Sequence, residues 1–391
     1  MTLTKKQEEG LNIAVARYQL GMPYTCISGY AGTGKSTLVN VIVEALDLDP
    51  VTEVAYITFT GKAANVLRHK NCPNAMTAHK LLYKARPTPS GKFIYSPKDV
   101  LEGNYKLIVV DEISMLPIDL WRLLLSHGIY VIACGDPFQI PPIDPQTDNH
   151  VLDKPHVFLD EIMRQAQESE IIRISMDIRN FKPLNYFKGT EVQIIKSSEM
   201  VDGMLTWADQ IIVGTNAKRQ EINDVMRQKA GRGPEPEVGD KIIALRNCWE
   251  TFDMNYEMAL VNGTIGELTS IEKELKNYQL YGVPTIPVLN IGFKTSDDDV
   301  FGEVICDYQA LKSGKKFLSP QQEYKIFRSK YKGQEPIEFN YGYAITGHRA
   351  QGSQWDKVLV IEERFPFDKL EHARWLYTSC TRAAEKLVLV R

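Results

Sequence analysis

The sequence predicts an α/β fold, with doubly wound parallel sheets and a smaller β-rich part. Three observations carry this. GYAGTGKST (29–37) places a glycine-rich phosphate-binding pattern between an apolar strand and a helix. Short apolar runs alternate with helical patterns in two groups, one before about residue 155 and one after about 205. From roughly 238 to 335, short strands follow one another without convincing helices. Strand–helix alternation favours parallel sheets covered on both faces, whereas uninterrupted strands favour a small β domain or barrel.

The elements follow in chain order. Residues 4–20 are predicted as a helix, with Thr4-x-x-Gln7 as its capping box. PYTCIS (23–28) is a strand entering the glycine loop, and STLVNVIVEAL (36–46) is the helix leaving it. Further strands are VAYITF (54–59), KLIVVD (106–111), YVIACGD (130–136), QIIVG (210–214), KVLVI (357–361) and KLVLV (386–390). GRGPEPEVGD (231–240) reads as a linker into the β-rich region, whose strands are GDKIIAL, NGTIGEL, VPTIPVLNIGF and GEVICDY. TSDDDVFGE (295–303) reads as an exposed acidic loop.

A chain of 391 residues implies two or three domains. With 43% hydrophobic and 24% charged residues it has an ordinary globular balance. No apolar run approaches the ~20 residues of a membrane helix, and MTLTKKQEEG lacks a signal-peptide core. A cytoplasmic protein with no membrane partner is expected. The six cysteines are scattered with no C-x-x-C pair, which argues against zinc and against a disulfide framework.

A net charge of −3 does not point to nucleic acid, for which a basic domain is the usual footprint. The charge is uneven, however. Val54 to Lys98 contains no Asp or Glu and eight Lys or Arg, interleaved with Tyr56, Phe59, Tyr83, Phe93 and Tyr95. A second basic run, 311–333, has seven Lys or Arg against Glu323 alone. Cations track a phosphate backbone, and aromatic faces stack on unpaired bases. A solvated face is the alternative for either run.

Three motifs carry chemistry. Gly29 through Ser36 fits G-x-x-x-x-G-K-[ST]: Lys35 would reach the β- and γ-phosphates of a nucleotide and Ser36 would ligate magnesium. Gly29, Ala31, Gly32, Thr33, Gly34 and Thr37 complete the cradle, whose N–H groups face phosphate oxygens. VVDEISM (109–115) ends a strand in Asp111, which would hold the magnesium through water, and Glu112, which would act as general base on an attacking water. That pair favours hydrolysis over phosphoryl transfer. In GDPFQIPPI (135–143), Gln139 can touch the γ-phosphate or the water.

In this order these motifs resemble motifs I, II and III of superfamily 1 helicases. FLDEIMRQ (158–165) resembles motif IV, with Arg164 as first arginine finger; WLYTSCTRAAEKLVLV (375–390) resembles motif VI, with Arg382 as second finger. IIVGTNAKRQEIN (211–223) resembles the opening of the second motor domain. FTGKAANVL (59–67), MTAHKLL (76–82) and YGYAITGHRAQGSQWDKVLV (341–360) resemble motifs Ia, Ib and V, and their form points to the 5′→3′ RecD/Dda-like branch. The resemblance covers nearly the whole chain.

It implies two RecA-like motor domains, 1–157 and 158–237 with 336–391, a β-rich SH3-like insert at 238–335, and a hairpin wedge within 83–104. It implies ATP and Mg2+ as cofactors, with Gly352 beside the nucleotide and Gln7 either reading adenine or only capping its helix. Thr60, Lys62, Thr77 and His79 on one domain and Thr346, His348 and Gln351 on the other would hold the strand backbone, with Phe93 and Tyr95 in the wedge. Implied partners are single-stranded and tailed duplex DNA, beside replication or recombination proteins, for a monomeric motor. Two other readings remain at this stage: a non-motor P-loop kinase or ATPase, and a translocase that does not separate strands.

Overall fold

The computed structural model describes the chain apart from residues 1–2, 70–71, 73, 88–92, 142–147, 164–167, 247, 255–258, 273, 297, 315–318, 320–321, 323–324 and 327–334. Side chains at 62, 65, 69, 85–87, 93–95, 249–250, 252 and 259 are likewise outside the description. The chain divides into two compact units: Met1–Lys84 with Pro97–Gly214 and Ala350–Arg391, and Ala85–Ser96 with Thr215–Arg349.

The first unit contains two parallel sheets. One has the order Met76–Thr77, Val54–Thr58, Leu107–Val110, Tyr130–Gly135, Tyr24–Gly29, Val157–Leu159, every pairing parallel. Its central strands are apolar runs because both faces are covered. Side chains alternate between two cores, as a pleated strand requires. Val54, Tyr56, Leu107, Val109 and Ile132 enter one, while Ala55, Ile57, Ile108, Val110 and Val131 enter the other. The helices Lys5–Gln19 and Lys35–Ala45 line the first core; Ala78–Leu82 and Ile118–Ser126 line the second.

The other sheet joins Gln210–Val213, Trp355–Ile361, Ala383–Val390 and Val192–Ile195 in parallel, with Phe187–Lys188 antiparallel at its edge. The helix Lys369–Cys380 precedes its strand Ala383–Val390 and is buried on almost every side from Ala373 onward. The short strands Val157–Leu159 and Val192–Ile195 are additions to the sequence-based expectation. Three or four residues carry little periodicity, and their pairing partners decide them.

The second unit is dominated by antiparallel strands. Lys276–Tyr278, Ile286–Thr295, Ile265–Ile271, Lys241–Ala244 and Phe339–Tyr341 form a sheet, and Val300–Asp307 also pairs with Ile286–Thr295. All four strands expected in the β-rich region are present. Its core stacks Phe293 on Phe301 at 4.9 Å, with Phe339 edge-on at 5.6 Å. The acidic loop expected at 295–303 is shorter than that: Thr295 ends one strand and Val300 begins the next, and Thr295 N donates to Asp299 O at 2.9 Å between them. The insert at 83–104 forms a two-stranded sheet, Tyr83–Pro87 with Phe93–Pro97, and its residues Ala85–Ser96 group with this unit.

One buried charge cluster organises the linker. Asp240, fully buried, accepts from Arg227 Nε at 3.0 Å, Arg232 at 2.7 Å, Tyr343 Oη at 2.9 Å and Glu237 N at 2.8 Å. Burial pushes the Asp240 carboxyl up, but the hydrogen bonds from Arg227 and Arg232 outweigh it and hold the group below its ordinary value. Removing one member of such a cluster strands the others. Asp240→Ala is expected to lose about 3–5 kcal/mol in denaturant unfolding, and a loss below about 1 kcal/mol would show the cluster to be dispensable.

Candidate active site

Parallel strands place their C-terminal ends on one edge of a sheet, where crevices form. The register pairs Ser28 with Gly135 and Val110 with Ala133. The phosphate loop, Asp111–Glu112 and the turn from Asp136 to Gln139 therefore leave the same edge.

The loop is shaped by Gly32 and Gly34, both at φ +77°. The helix Lys35–Ala45 begins at Gly34 with no side-chain cap, so its first N–H groups remain free to meet an anion. Glycine is needed at Gly34 for its φ, and a Cβ there, 2.5 Å from Gln7 Nε2, would push the Gln7 amide off the loop. Lys35 Nζ donates to Gly29 O at 2.8 Å and Tyr30 O at 3.0 Å, which folds the cation over its own loop. Thr33 Oγ1 donates to Tyr30 O at 2.8 Å. Ser36 and Thr37 occupy the expected positions in the first turn, whereas Ala31, expected to offer its N–H to phosphate, donates it to Tyr377 Oη at 2.9 Å.

Gln7 does cap its helix: Thr4 N donates to Gln7 Oε1 at 3.0 Å, and Gln7 N to Thr4 Oγ1 at 3.3 Å. Its side chain is buried, and Nε2 also donates to Thr33 O at 3.3 Å and Gly34 O at 3.4 Å. The helix cap is thus a brace for the phosphate loop. A second brace is Met163, whose N–H donates to Gly32 O at 3.1 Å. Its neighbour Arg164 lies outside the described residues.

Asp111 N extends the ladder to Ile57 O at 3.0 Å, and Asp111 Oδ1 accepts from Glu112 N at 3.0 Å. Glu112 has φ 52° and ψ 50°. This left-handed conformation costs a non-glycine residue about 1–2 kcal/mol, and such strain gathers at working sites. Glu112 Oε1 lies 3.8 Å from a guanidinium nitrogen of Arg382. Glu112 Oε2 and Gln139 Oε1 are buried with no hydrogen-bond partner among the described residues. Unpartnered buried acceptors are costly. Two beside a phosphate loop fit a site that receives a donor such as water, whereas phosphate oxygens need the N–H and ammonium donors of the loop. Burial pushes the Glu112 carboxyl above its ordinary value; Asp111 and Asp136 add to this, while Arg382 and Lys35 oppose it.

The second sheet of the same unit supplies the other wall. Arg382 is buried, with Nε donating to Thr378 O at 3.0 Å and another nitrogen to Ser353 O at 3.3 Å. Gly352 has φ +71°, and a Cβ there would stand 3.1 Å from Ala63 Cβ and 3.5 Å from Glu112 Oε2. Gln351 Nε2 donates to Ile140 O at 2.8 Å, and Ile140 N donates to Thr378 Oγ1 at 3.0 Å. Gln351, expected on the strand, is thus engaged by the segment that follows Gln139.

The other strand-contact candidates are more dispersed. Thr60 Oγ1 accepts from Ala63 N at 3.3 Å, and Thr77 caps the helix Ala78–Leu82 through Lys80 N at 3.2 Å. His79 is exposed, with its ring 5.8 Å from Tyr83 and 5.9 Å from Phe59. The side chains of Lys62, Phe93 and Tyr95 lie outside the described residues. Thr346 and His348 fall in the second unit, and burial lowers the His348 pKa, which keeps its imidazole neutral at pH 7.

Sequence reasoning missed Asp136, Met163 and Tyr377. All three lie inside the quoted motifs, but their partners are distant in the chain, and no spacing announces them.

As general base, Glu112 would act only in the transition state, so Glu112→Gln is then expected to lower kcat for ATP hydrolysis about 10²–10⁴-fold with little change in KM; steady-state kinetics that showed a large KM rise at unchanged kcat would assign Glu112 to binding. Because a base must be ionised and burial raises the Glu112 pKa, the acid limb of kcat/KM, which reports the free protein, is then expected above pH 4.5, the ordinary carboxylate value. A pH–rate profile still flat at that pH would exclude Glu112 as the base.

Residues 2–200, just over half of the chain, match the AAA domain family, and residues 341–390 match the UvrD-like helicase C-terminal domain. The chain is similar to the ATP-dependent DNA helicase dda of enterobacteria phage T4, 24% identical over 97% of both chains. It is 25% identical to the ATP-dependent RecD2 DNA helicase of Deinococcus radiodurans over 98% of this chain, spanning 49% of that longer protein. The fold resembles that of a Bacteroides Pif1 helicase solved with ADP-AlF3 and single-stranded DNA, with TM-score 0.54 and 18% identity over 100% of this chain and 92% of that one. With both the nucleotide-binding and the C-terminal helicase segments matched, the chain belongs to the superfamily 1 helicases, in their RecD/Dda-like branch.

Proposed function

We propose that the chain is an ATP-driven DNA helicase that moves 5′→3′ along single-stranded DNA and opens duplex ahead of it. The observation that carries this is the approach of Arg382 to within 3.8 Å of Glu112, because the two groups come from different sheets. The strand Leu107–Val110 delivers Glu112, and the helix Lys369–Cys380 leads to Arg382. A base for water and a cation for the γ-phosphate oxygens thus meet only where two motor domains meet. A fixed arginine at that phosphate is worth ~10³–10⁵ in rate.

In this reading Lys35 and the loop amides bind the phosphates of ATP as substrate. Glu112 takes the proton of the attacking water, Gln139 orients that water, and Arg382, with Arg164, stabilises the charge that develops. Ser36 and Asp111 would hold Mg2+, which neutralises phosphate charge. Among the described residues no three His, Cys, Asp or Glu converge. The motor domains are assigned to 1–157 and to 158–237 with 336–391, and the β-rich insert to 238–335; the sheets support this division except that Val157–Leu159 pairs within the first parallel sheet and Phe339–Tyr341 within the antiparallel one. The basic, acid-free stretch 54–98 and the segment Thr346 to Gln351 grip the strand, and the pair Tyr83–Pro87 and Phe93–Pro97 is the wedge. No helix among the described residues is long and apolar enough to cross a membrane. We place the protein in the cytoplasm, as a monomer working beside replication or recombination proteins.

The test is ATP-driven strand separation on two duplexes, one with a 5′ single-stranded tail and one with a 3′ tail. Opening of the 5′-tailed duplex alone is expected. Opening of the 3′-tailed duplex alone would reverse the polarity. Opening of neither, with hydrolysis still stimulated by single-stranded DNA, would make the protein a translocase.

A further inference from the structure

The hydroxyl of Tyr377 joins three segments of the site. Ala31 N–H, in the phosphate loop, donates to Tyr377 Oη at 2.9 Å, and Tyr377 Oη donates to Asp136 Oδ2 at 2.5 Å. The other oxygen of Asp136 accepts from Phe138 N at 2.9 Å, and Asp136 O accepts from Gln139 N at 3.3 Å. The Phe138 ring stands edge-on to Tyr377 at 5.3 Å. Tyr377 is 1% exposed and Asp136 4% exposed, so water does not compete for these bonds. A phenol offers one donor and an acceptor, and here both are used. Burial, reinforced by Asp136, pushes the Tyr377 hydroxyl well above its ordinary value, so it keeps the proton it donates.

We propose that Tyr377 is a positioning residue for hydrolysis: it ties the phosphate loop and the Gln139 turn to the helix Lys369–Cys380, and so sets where Arg382 stands relative to the phosphates held by the loop. Each of the three partners presents a group that acts on the reacting phosphate. Ala31 lies between the two loop glycines and the Lys35 acceptors Gly29 and Tyr30. Asp136 shapes the turn that carries Gln139, and the helix runs into Arg382. The tie crosses from the sheet that binds nucleotide to the sheet that bears the finger. A hydroxyl lost here leaves ATP contacts intact but lets the finger and the loop move apart. The proposal rests on the ATP-hydrolysis reading above.

The experiment compares the intact chain with Tyr377→Phe, Asp136→Asn and the double variant, measuring kcat and KM for ATP with and without saturating single-stranded DNA. A misplacement near 1 Å can cost up to 10²-fold, so kcat is expected to fall about tenfold or more in Tyr377→Phe, with KM within about threefold. Because the two residues act through one bond, the double variant is expected to be no slower than the slower single one, whereas independent effects would multiply. Unchanged kcat in Tyr377→Phe, with only a lower melting temperature, would reduce the tie to a structural contact and overturn the proposal. Multiplying effects would overturn it as well. Should Tyr377→Phe fail to fold, Asp136→Asn, which keeps the phenol, carries the same kinetic criterion. A native chain whose hydrolysis ignores single-stranded DNA would sink the motor reading, while the ratio of basal kcat values would still decide the role of Tyr377.

Discussion

A buried carboxylate stays ionised only if something nearby offsets the loss of water, and the site is arranged around that constraint at Glu112. Burial pushes its pKa up, and Arg382 and Lys35 pull it back. Both cations are also the groups that a transferring phosphate needs. In the proposed reading the same three side chains answer two requirements, an active base before reaction and a stabilised phosphate during it. The left-handed backbone at Glu112 belongs to this arrangement, since it ends the strand abruptly and swings the carboxylate toward the second sheet. Gly352, pressed against Ala63 and Glu112, shows how closely the two walls approach there.

Around that centre the phosphate loop is held from several sides rather than by its own turn alone. Gln7 braces the carbonyls of Thr33 and Gly34, Met163 the carbonyl of Gly32, and Tyr377 the amide of Ala31. A loop so tied has little freedom to reorganise when charge develops, which is the condition under which fixed dipoles stabilise a transition state most. The ties come from the first helix, from the segment after Leu159 and from the helix before Arg382. Movement of any of these is felt at the phosphates, which is what coupling hydrolysis to domain movement requires.

Charge is organised locally as well. The chain is net negative, yet the 54–98 stretch is free of acids, and it supplies Thr60, Thr77 and His79 at helix starts and loop ends. A motor that follows a backbone needs a positive track, not a positive surface. Backbone contacts carry position rather than sequence information.

The sequence by itself determined the fold class and most of the chemical inventory. Apolar strands such as LIVV and YVIACG are buried on both faces, so their composition alone marks them as central, and the glycine loop needs its residues at fixed spacing. Lys35, Ser36, Asp111, Glu112 and Gln139 were singled out by the phosphate chemistry of their motifs and Arg382 by resemblance to motif VI; the structure brings Glu112 and Arg382 within 3.8 Å. The double duty of Gln7, the engagement of Gln351 by Ile140, and the bridge from Ala31 through Tyr377 to Asp136 were decided by tertiary structure. Each depends on partners far apart in the chain, and a hydrogen bond between distant segments leaves no periodic trace in the residues that make it. Short strands such as Val192–Ile195 were decided in the same way, by the neighbour they pair with.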